Sequence, residues 1–399
     1  MRFFLAGSYA KSGRREGELL LDCARSYMTG EHRNDLALLD IDWDYLLRTA
    51  SKHKMIPLLY HFLYVGYRER APNDVLHRLT DLYRINAARN LLMTQELLQL
   101  LELFKNSAIP AIAFKGPVLA AVLYGDVSLR QFNDLDILIR ERDVGRATSV
   151  LHTRGYLAGP KLDCEQHFKQ DPLTLDLTVD LHWSITHKNH SFPLTTERLW
   201  EQRDSKILFG KTIATMGPEE TLLVLCFNGA KDGWASLSHI CDIAKLLGNT
   251  NAIDWINLIE KSRQWGCQRI VLLGLYLASH LLEAALPATV VKAISSHPTL
   301  PRLAEQVRGR LFAEGNRSRP WEAKAYWHQL RMREGLRERI TYYGCMGAAV
   351  IAPNEKNGMV LRSVRQIIYY SLRPLWRVAK RGVRFLIDFH SVGRDRRKS

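Results

Sequence analysis

Apolar residues recur every three or four positions from Leu19 to Asn106, as in Leu36, Leu39, Trp43, Leu46 and Leu47, and again in Leu91, Leu92, Leu97, Leu98, Leu101 and Phe104. That spacing stacks them on one face of successive helices. Pro57 and the run Ala71-Pro72-Asn73-Asp74 punctuate the stretch, so it predicts several helices rather than one. The pattern changes after Ser107. Ile109-Pro-Ala-Ile-Ala-Phe114 is short and apolar with no polar face, which predicts a buried strand. Lys115-Gly116-Pro117 breaks it, and residues 118–124 read as a short helix entered through a proline. Residues 132–139 predict a second strand, 144–153 a covering helix, and 171–185 a third strand with strict alternation. In that last segment Leu177, Val179, Leu181 and Trp183 point one way, while Thr178, Asp180, His182 and Ser184 point the other.

Helical periodicity returns at Pro218, whose first turn carries Glu219 and Glu220 as the helix dipole favours, and continues through 236–247, 253–264 and 270–285. Beyond Pro301 the sequence suggests a loop at 353–358 and an amphipathic helix over 360–389, broken near Pro374. The expectation is an α+β protein: a small mixed β-sheet core at 107–215, a helical region at 1–106 before it, a helical domain at 216–301 after it, and a last segment at 302–399.

Composition adds one fact. The 399 residues carry a net charge of +15, yet residues 1–301 hold 34 Lys and Arg against 33 Asp and Glu, whereas 302–399 hold 22 against 8. The body is near neutral, so a chain that coats nucleic acid is not what the sequence describes. The basic segment interleaves Arg362, Arg365, Arg373, Arg377, Lys380, Arg381 and Arg384 with Ile367, Ile368, Leu372, Leu375, Trp376 and Phe385. It reads as a helix packed on the body with a solvated basic face, as a surface for an anionic bilayer, or as a docking site for an acidic partner. The start of the chain lacks the long apolar core of a signal peptide, and no window approaches a membrane span. Six scattered cysteines without metal-ligand spacing read as reduced core residues, so the expected location is the cytoplasm, with peripheral membrane association through 302–399.

The candidate chemistry lies in Lys115-Gly116, in Arg130-Gln-Phe-Asn-Asp134-Leu-Asp136 and in Val179-Asp180-Leu-His182-Trp183. Residues two apart on a strand face the same way, so Asp134 and Asp136 present paired carboxylates while Leu135 and Ile137 enter the core. Carboxylates that close repel unless a cation sits between them, and oxygen-only ligands suit Mg²⁺, with Mn²⁺ as a substitute. Asp180 is the candidate third carboxylate of a two-ion site able to stabilise both oxygens of an in-line phosphoryl displacement. The Gly116 turn at a helix N-terminus is placed to meet a triphosphate, and Lys115 and Arg130 to offset the charge of the leaving pyrophosphate. Arg130 could equally bridge carboxylates structurally. His182 orients Asp180, touches a phosphate or simply packs beside Trp183. Asp242, in an amphipathic helix, reads as an exposed carboxylate, and Lys231 and Asp232 as loop residues near an acceptor site.

These segments resemble the uncharacterised nucleotidyltransferase family of the DNA polymerase β-like superfold: residues 114–125, Arg130 with Asn133 through Ile139, and Val179 through Trp183, joined by 234–247 and 369–375. The resemblance implies that Asp134, Asp136 and Asp180 hold metal, with Asp180 also a candidate base for an acceptor hydroxyl, and that Gly116 belongs to the nucleotide-phosphate turn. It implies transfer of a nucleoside monophosphate from an NTP, ATP first among them, to a hydroxyl or phosphate of a small molecule, a peptide natural product or a polysaccharide precursor. A phosphotransferase using the same metal site and a catalytically silent membrane-associated adaptor are the alternatives. The chain departs from the superfold at Gly116-Pro117, where proline removes one amide donor, and at Asn228 and Asp232, where relatives carry histidines.

Overall fold

The computed structural model describes residues 14–31, 38, 40–162, 164–170, 177–186, 194–248 and 253–313. The loop and helix expected beyond 313, Cys345, and the first residues of the expected third strand lie outside the described residues. Four helices open the chain: α1 (Arg14–Thr29), α2 (Trp43–Lys52), α3 (Ile56–Gly66) and α4 (Asn73–Asn106). Asp42 starts α2 by accepting from the amide of Tyr45, and Pro57 sits in the first turn of α3, where its missing N–H costs nothing. Pro72 precedes the 34-residue α4.

A five-stranded sheet follows, built from β1 (Ala111–Ala113), β2 (Asp134–Ile139), β3 (Tyr156–Lys161), β4 (Glu165–Gln170) and β5 (Thr178–His182). Its spatial order is β1-β2-β5-β4-β3. Every neighbouring pair is antiparallel except β2 and β5, which run parallel. Between the strands lie α5 (Pro117–Tyr124) and α6 (Val144–Thr153). The sheet is thus larger than the three strands expected, because β3 and β4 lack apolar alternation. Next come α7 (Thr196–Glu201) and a separate hairpin of β6 (Arg203–Leu208) and β7 (Lys211–Met216). The chain then turns helical, with α8 (Pro218–Lys231), α9 (Leu237–Leu247), α10 (Trp255–Gln264), α11 (Gln268–Leu282), α12 (Ala288–Ser295) and α13 (Leu300–Leu311).

The two faces of β2 feed different cores. Leu135, Ile137 and Ile139 pack with Val179, Leu181, α4 residues Leu97 and Phe104, and α6 residues Ala147 and Leu151. Leu138, on the opposite face with Asp134 and Asp136, joins a second cluster made by α1, α3, α8, α9, α11 and α13. The paired carboxylates therefore face the helical side of the molecule, and hydrophobic burial on both faces fixes the register that puts them there. No described helix is long and apolar enough to cross a membrane. The five described cysteines are buried.

Candidate active site

The parallel pairing of β2 with β5 sets Asp136 directly opposite Asp180 and Asp134 opposite Thr178. Three carboxylates thus cluster where the two strands begin. Gly116 closes the site from above. Its backbone, at φ 51 and ψ −122, is a conformation glycine alone adopts readily, and a β-carbon there would stand 3.0 Å from the carbonyl oxygen of Asp134. The turn that starts α5 is therefore pressed onto the start of β2. It offers fewer donors than a helix N-terminus normally would, because Pro117 has no amide hydrogen and the Val118 amide donates back to the Lys115 carbonyl at 3.1 Å.

Asp136 is buried and doubly engaged. Its Oδ1 receives Lys115 Nζ at 2.9 Å and His182 Nε2 at 3.0 Å, and its second oxygen takes part in neither bond. Burial opposes ionisation here, but Lys115 first and His182 second outweigh it and hold the carboxyl well below the usual range. Asp134 goes the other way. Burial, then repulsion from Asp136, pushes its carboxyl up despite Lys115. Two acids one residue apart thus have opposed affinities for protons, the condition expected of carboxylates crowded around a cation site.

Strand β4 completes the cluster with two residues that no motif had indicated. In register, Glu165 lies opposite His182 and His167 opposite Asp180. The His167 Nδ1 is 2.6 Å from Asp180 Oδ1, and Glu165 Oε2 is 2.9 Å from His182 Nδ1, off the line of a hydrogen bond to the ring. The contact with His182 brings the Glu165 carboxyl down to about 2 against the opposing effect of burial. His182 is buried, which disfavours its charged form, yet Asp136 and Glu165 together raise its pKa. A Lys115, Asp136, His182, Glu165 chain of alternating charge runs under the site. The sequence signal for β4 was the period-two spacing of Glu165 and His167, hidden by the absence of apolar partners.

Arg130 is brought near Asp134 but points elsewhere. Its Nε and Nη2 fork onto Asp242 of α9 at 3.0 and 2.9 Å, with Asp242 buried and Arg130 partly so. Asp242 also accepts from the Tyr124 hydroxyl at 2.8 Å, and only 1% of the residue is exposed. The expectation of an exposed Asp242 is therefore corrected: its helix is buried along most of its length, and the carboxylate is the internal partner of Arg130. Lys231 ends α8 rather than lying in a loop, and Asp232 caps that helix.

The residues present suit a divalent cation. Asp136, Asp180 and His182 each offer a ligand atom, all within 4.8 Å of one another, and the raised affinity of Asp134 for a proton marks negative charge that a cation would relieve. Oxygen donors dominate the set, which favours a hard ion.

A strand bearing Asp-Leu-Asp, paired in parallel with a strand bearing the third carboxylate and roofed by a glycine turn at a helix start, defines the class of nucleotidyl-transferring enzymes. The profile of the family described as uncharacterised nucleotidyltransferase matches residues 40–283. The chain belongs to that family. Among solved structures it is similar to the lincosamide antibiotic adenylyltransferase LnuA bound to lincomycin, at 18% identity and a TM-score of 0.30, covering 38% of this chain and 94% of that one. It is also similar to an antigenic nucleotidyltransferase-like protein from Paracoccidioides brasiliensis, at 14% identity and a TM-score of 0.28, covering 54% and 92%. Both overlaps are too loose to carry weight. Among curated proteins no sequence matches the chain.

Proposed function

We propose that this nucleotidyltransferase uses Mg²⁺ to move a nucleoside monophosphate from an NTP, with ATP the first candidate, to a hydroxyl or phosphate acceptor, releasing pyrophosphate. The observation that carries the reading is the in-register pair Asp136 and Asp180, with Asp134 beside them under the Gly116 turn. A bound divalent ion supplies charge neutralisation for the attacking and leaving oxygens. Asp134, Asp136 and Asp180 would hold it. Asp180 is also the group suited to take the acceptor's proton, and His167 fixes its orientation from 2.6 Å. Lys115 and His182 hold Asp136 ionised, so this ligand needs no proton removed before it binds metal. Arg130, engaged with Asp242, braces the loop before β2 and is a poor candidate for direct phosphate contact. The basic segment 302–399 is assigned to docking on an anionic surface, with the acceptor class drawn from small molecules, peptides or polysaccharide precursors.

The test is incubation of the full chain with Mg²⁺ and ATP labelled at either the α or the γ phosphorus. Transfer of the α label to an acceptor is expected, and Asp134→Asn or Asp136→Asn should slow it by roughly two orders of magnitude, about 2.7 kcal/mol of barrier. Movement of the γ label alone would replace this reading with phosphotransfer. No transfer of either label from a cell extract rich in acceptors would favour a silent adaptor.

A further inference from the structure

Glu165 has no part in the chemistry derived so far, yet its side chain is only 13% exposed, on the face of the sheet that carries Asp136 and Asp180. A further acid in that place is disfavoured by burial and by the charge of its neighbours. Nor does it serve the core, since in β4 only Phe168 is buried in the hydrophobic cluster.

Its two oxygens are divided between two imidazoles. Oε2 is 2.9 Å from His182 Nδ1, and Oε1 is 3.9 Å from His167 Nε2, a polar contact longer than a hydrogen bond. The other nitrogen of each ring holds one of the acids assigned to the metal: His182 Nε2 is 3.0 Å from Asp136 Oδ1, and His167 Nδ1 is 2.6 Å from Asp180 Oδ1. Asp136, His182, Glu165, His167 and Asp180 thus form one bridge across β2, β5 and β4, and its ends are the two acids that strand pairing sets side by side. We propose that Glu165 is a positioning residue for the metal site, fixing the two imidazoles and through them the Asp136 and Asp180 carboxylates. The inference rests on the nucleotidyltransferase reading above and deepens it.

The bridge engages Oδ1 of both aspartates, and Oδ2 of each takes part in neither bond. A carboxylate oriented through one oxygen keeps the lone pairs of the other for a cation. Backbone pairing sets the spacing of the bridge: β4 runs antiparallel to β5 with Glu165 opposite His182 and His167 opposite Asp180, and the period of two puts all four on one face. The two arms differ in grip. His182 is 7% exposed, meets the Phe114 ring edge to face at 5.2 Å and has a carboxylate at each nitrogen, whereas His167 is 38% exposed and farther from Glu165. Glu165 therefore acts chiefly on Asp136, by way of His182. Groups that hold a metal's ligands in place are typically worth about 10- to 100-fold in metal affinity.

Titration of the full chain with Mn²⁺, followed by the electron paramagnetic resonance of the free ion at one fixed pH and without nucleotide, tests the assignment. Glu165→Gln should weaken Mn²⁺ binding roughly tenfold. His182→Asn keeps a donor where Nδ1 faces Glu165 but falls short of Asp136, so it should weaken Mn²⁺ as much, and Glu165→Gln added to it should cost nothing further. His182→Gln keeps the reach to Asp136 and gives up the Glu165 side. It should match Glu165→Gln, again with no further loss in the double variant, and it carries the test if His182→Asn does not fold. An acid that merely adds negative charge would act equally in every background, so additive losses would overturn the positioning role, as would unchanged Mn²⁺ affinity in Glu165→Gln. Either result leaves the nucleotidyltransferase reading standing. Failure of the unmodified chain to bind Mn²⁺ would overturn the metal site on which that reading depends, and this inference with it.

Discussion

Asp134 and Asp136 differ by one position on either side of Leu135, and their environments make them opposite in energetic sign. Asp136 is the shared anion of Lys115 and His182, so Asp136→Ala leaves a partly buried ammonium and a buried imidazole without their partner. The expected loss is about 3 kcal/mol or more. Asp134 sits in a field that already resists its ionisation. Asp134→Asn removes that repulsion and should raise stability by about 1 kcal/mol, roughly 2 °C in melting temperature, while slowing transfer by the roughly two orders of magnitude given above. Urea titrations of the two variants without added metal check the opposed signs; destabilisation by both would show that Asp134 holds the strand together rather than straining it. The trade of stability for a crowded anionic site is the usual one for groups arranged around a reaction.

Among elements, α4 sets the path of the loop that delivers Asp134. The side chain of buried Asn90 donates to the carbonyls of Val127 and Arg130 at 2.6 and 2.7 Å, Asn86 to that of Ser128 at 3.0 Å, and Arg89 to the Asn133 side chain at 2.9 Å. Asn90→Ala strands two buried carbonyls and should cost about 2 to 3 kcal/mol, read as a lower urea midpoint at unchanged slope. A loss within about 0.5 kcal/mol would mean that the loop holds its course without α4. The helices were legible from apolar spacing because their buried faces repeat over many residues, and so was the alternation that turns Asp134 and Asp136 to one side. Strand β3 was not: Tyr156-Leu-Ala-Gly-Pro-Lys161 is a mostly exposed edge with a register shift and no repeating apolar position. The β6–β7 hairpin did carry a signal, since Phe209 and Gly210 both take positive φ in a two-residue turn between strands, with Gly210 as the marker. Glu165 and His167 could not be ranked as site residues from spacing, because register with β5, not sequence distance, brings them in.

At the scale of the whole molecule, the charge first met as a bulk figure belongs to residues 302–399, not to the stretch of sequence that carries the three acids. If residues 302–399 serve docking, the full chain should sediment with vesicles rich in phosphatidylglycerol and a chain ending at residue 313 should not, while both bind ATP alike. Equal sedimentation would remove the membrane from the account. The body itself draws its site from both sides of β2. Arg130 and Asp242, 112 residues apart, close their ion pair only when α9 packs against α5 and its loop. That distance has a consequence for biogenesis. Domains emerge from the ribosome N-terminal end first, so a nascent chain exposed as far as residue 215 already holds Asp134, Asp136 and Asp180 but not Asp242, the partner of Arg130. The brace on the loop before β2 can therefore close only after α9 has been made.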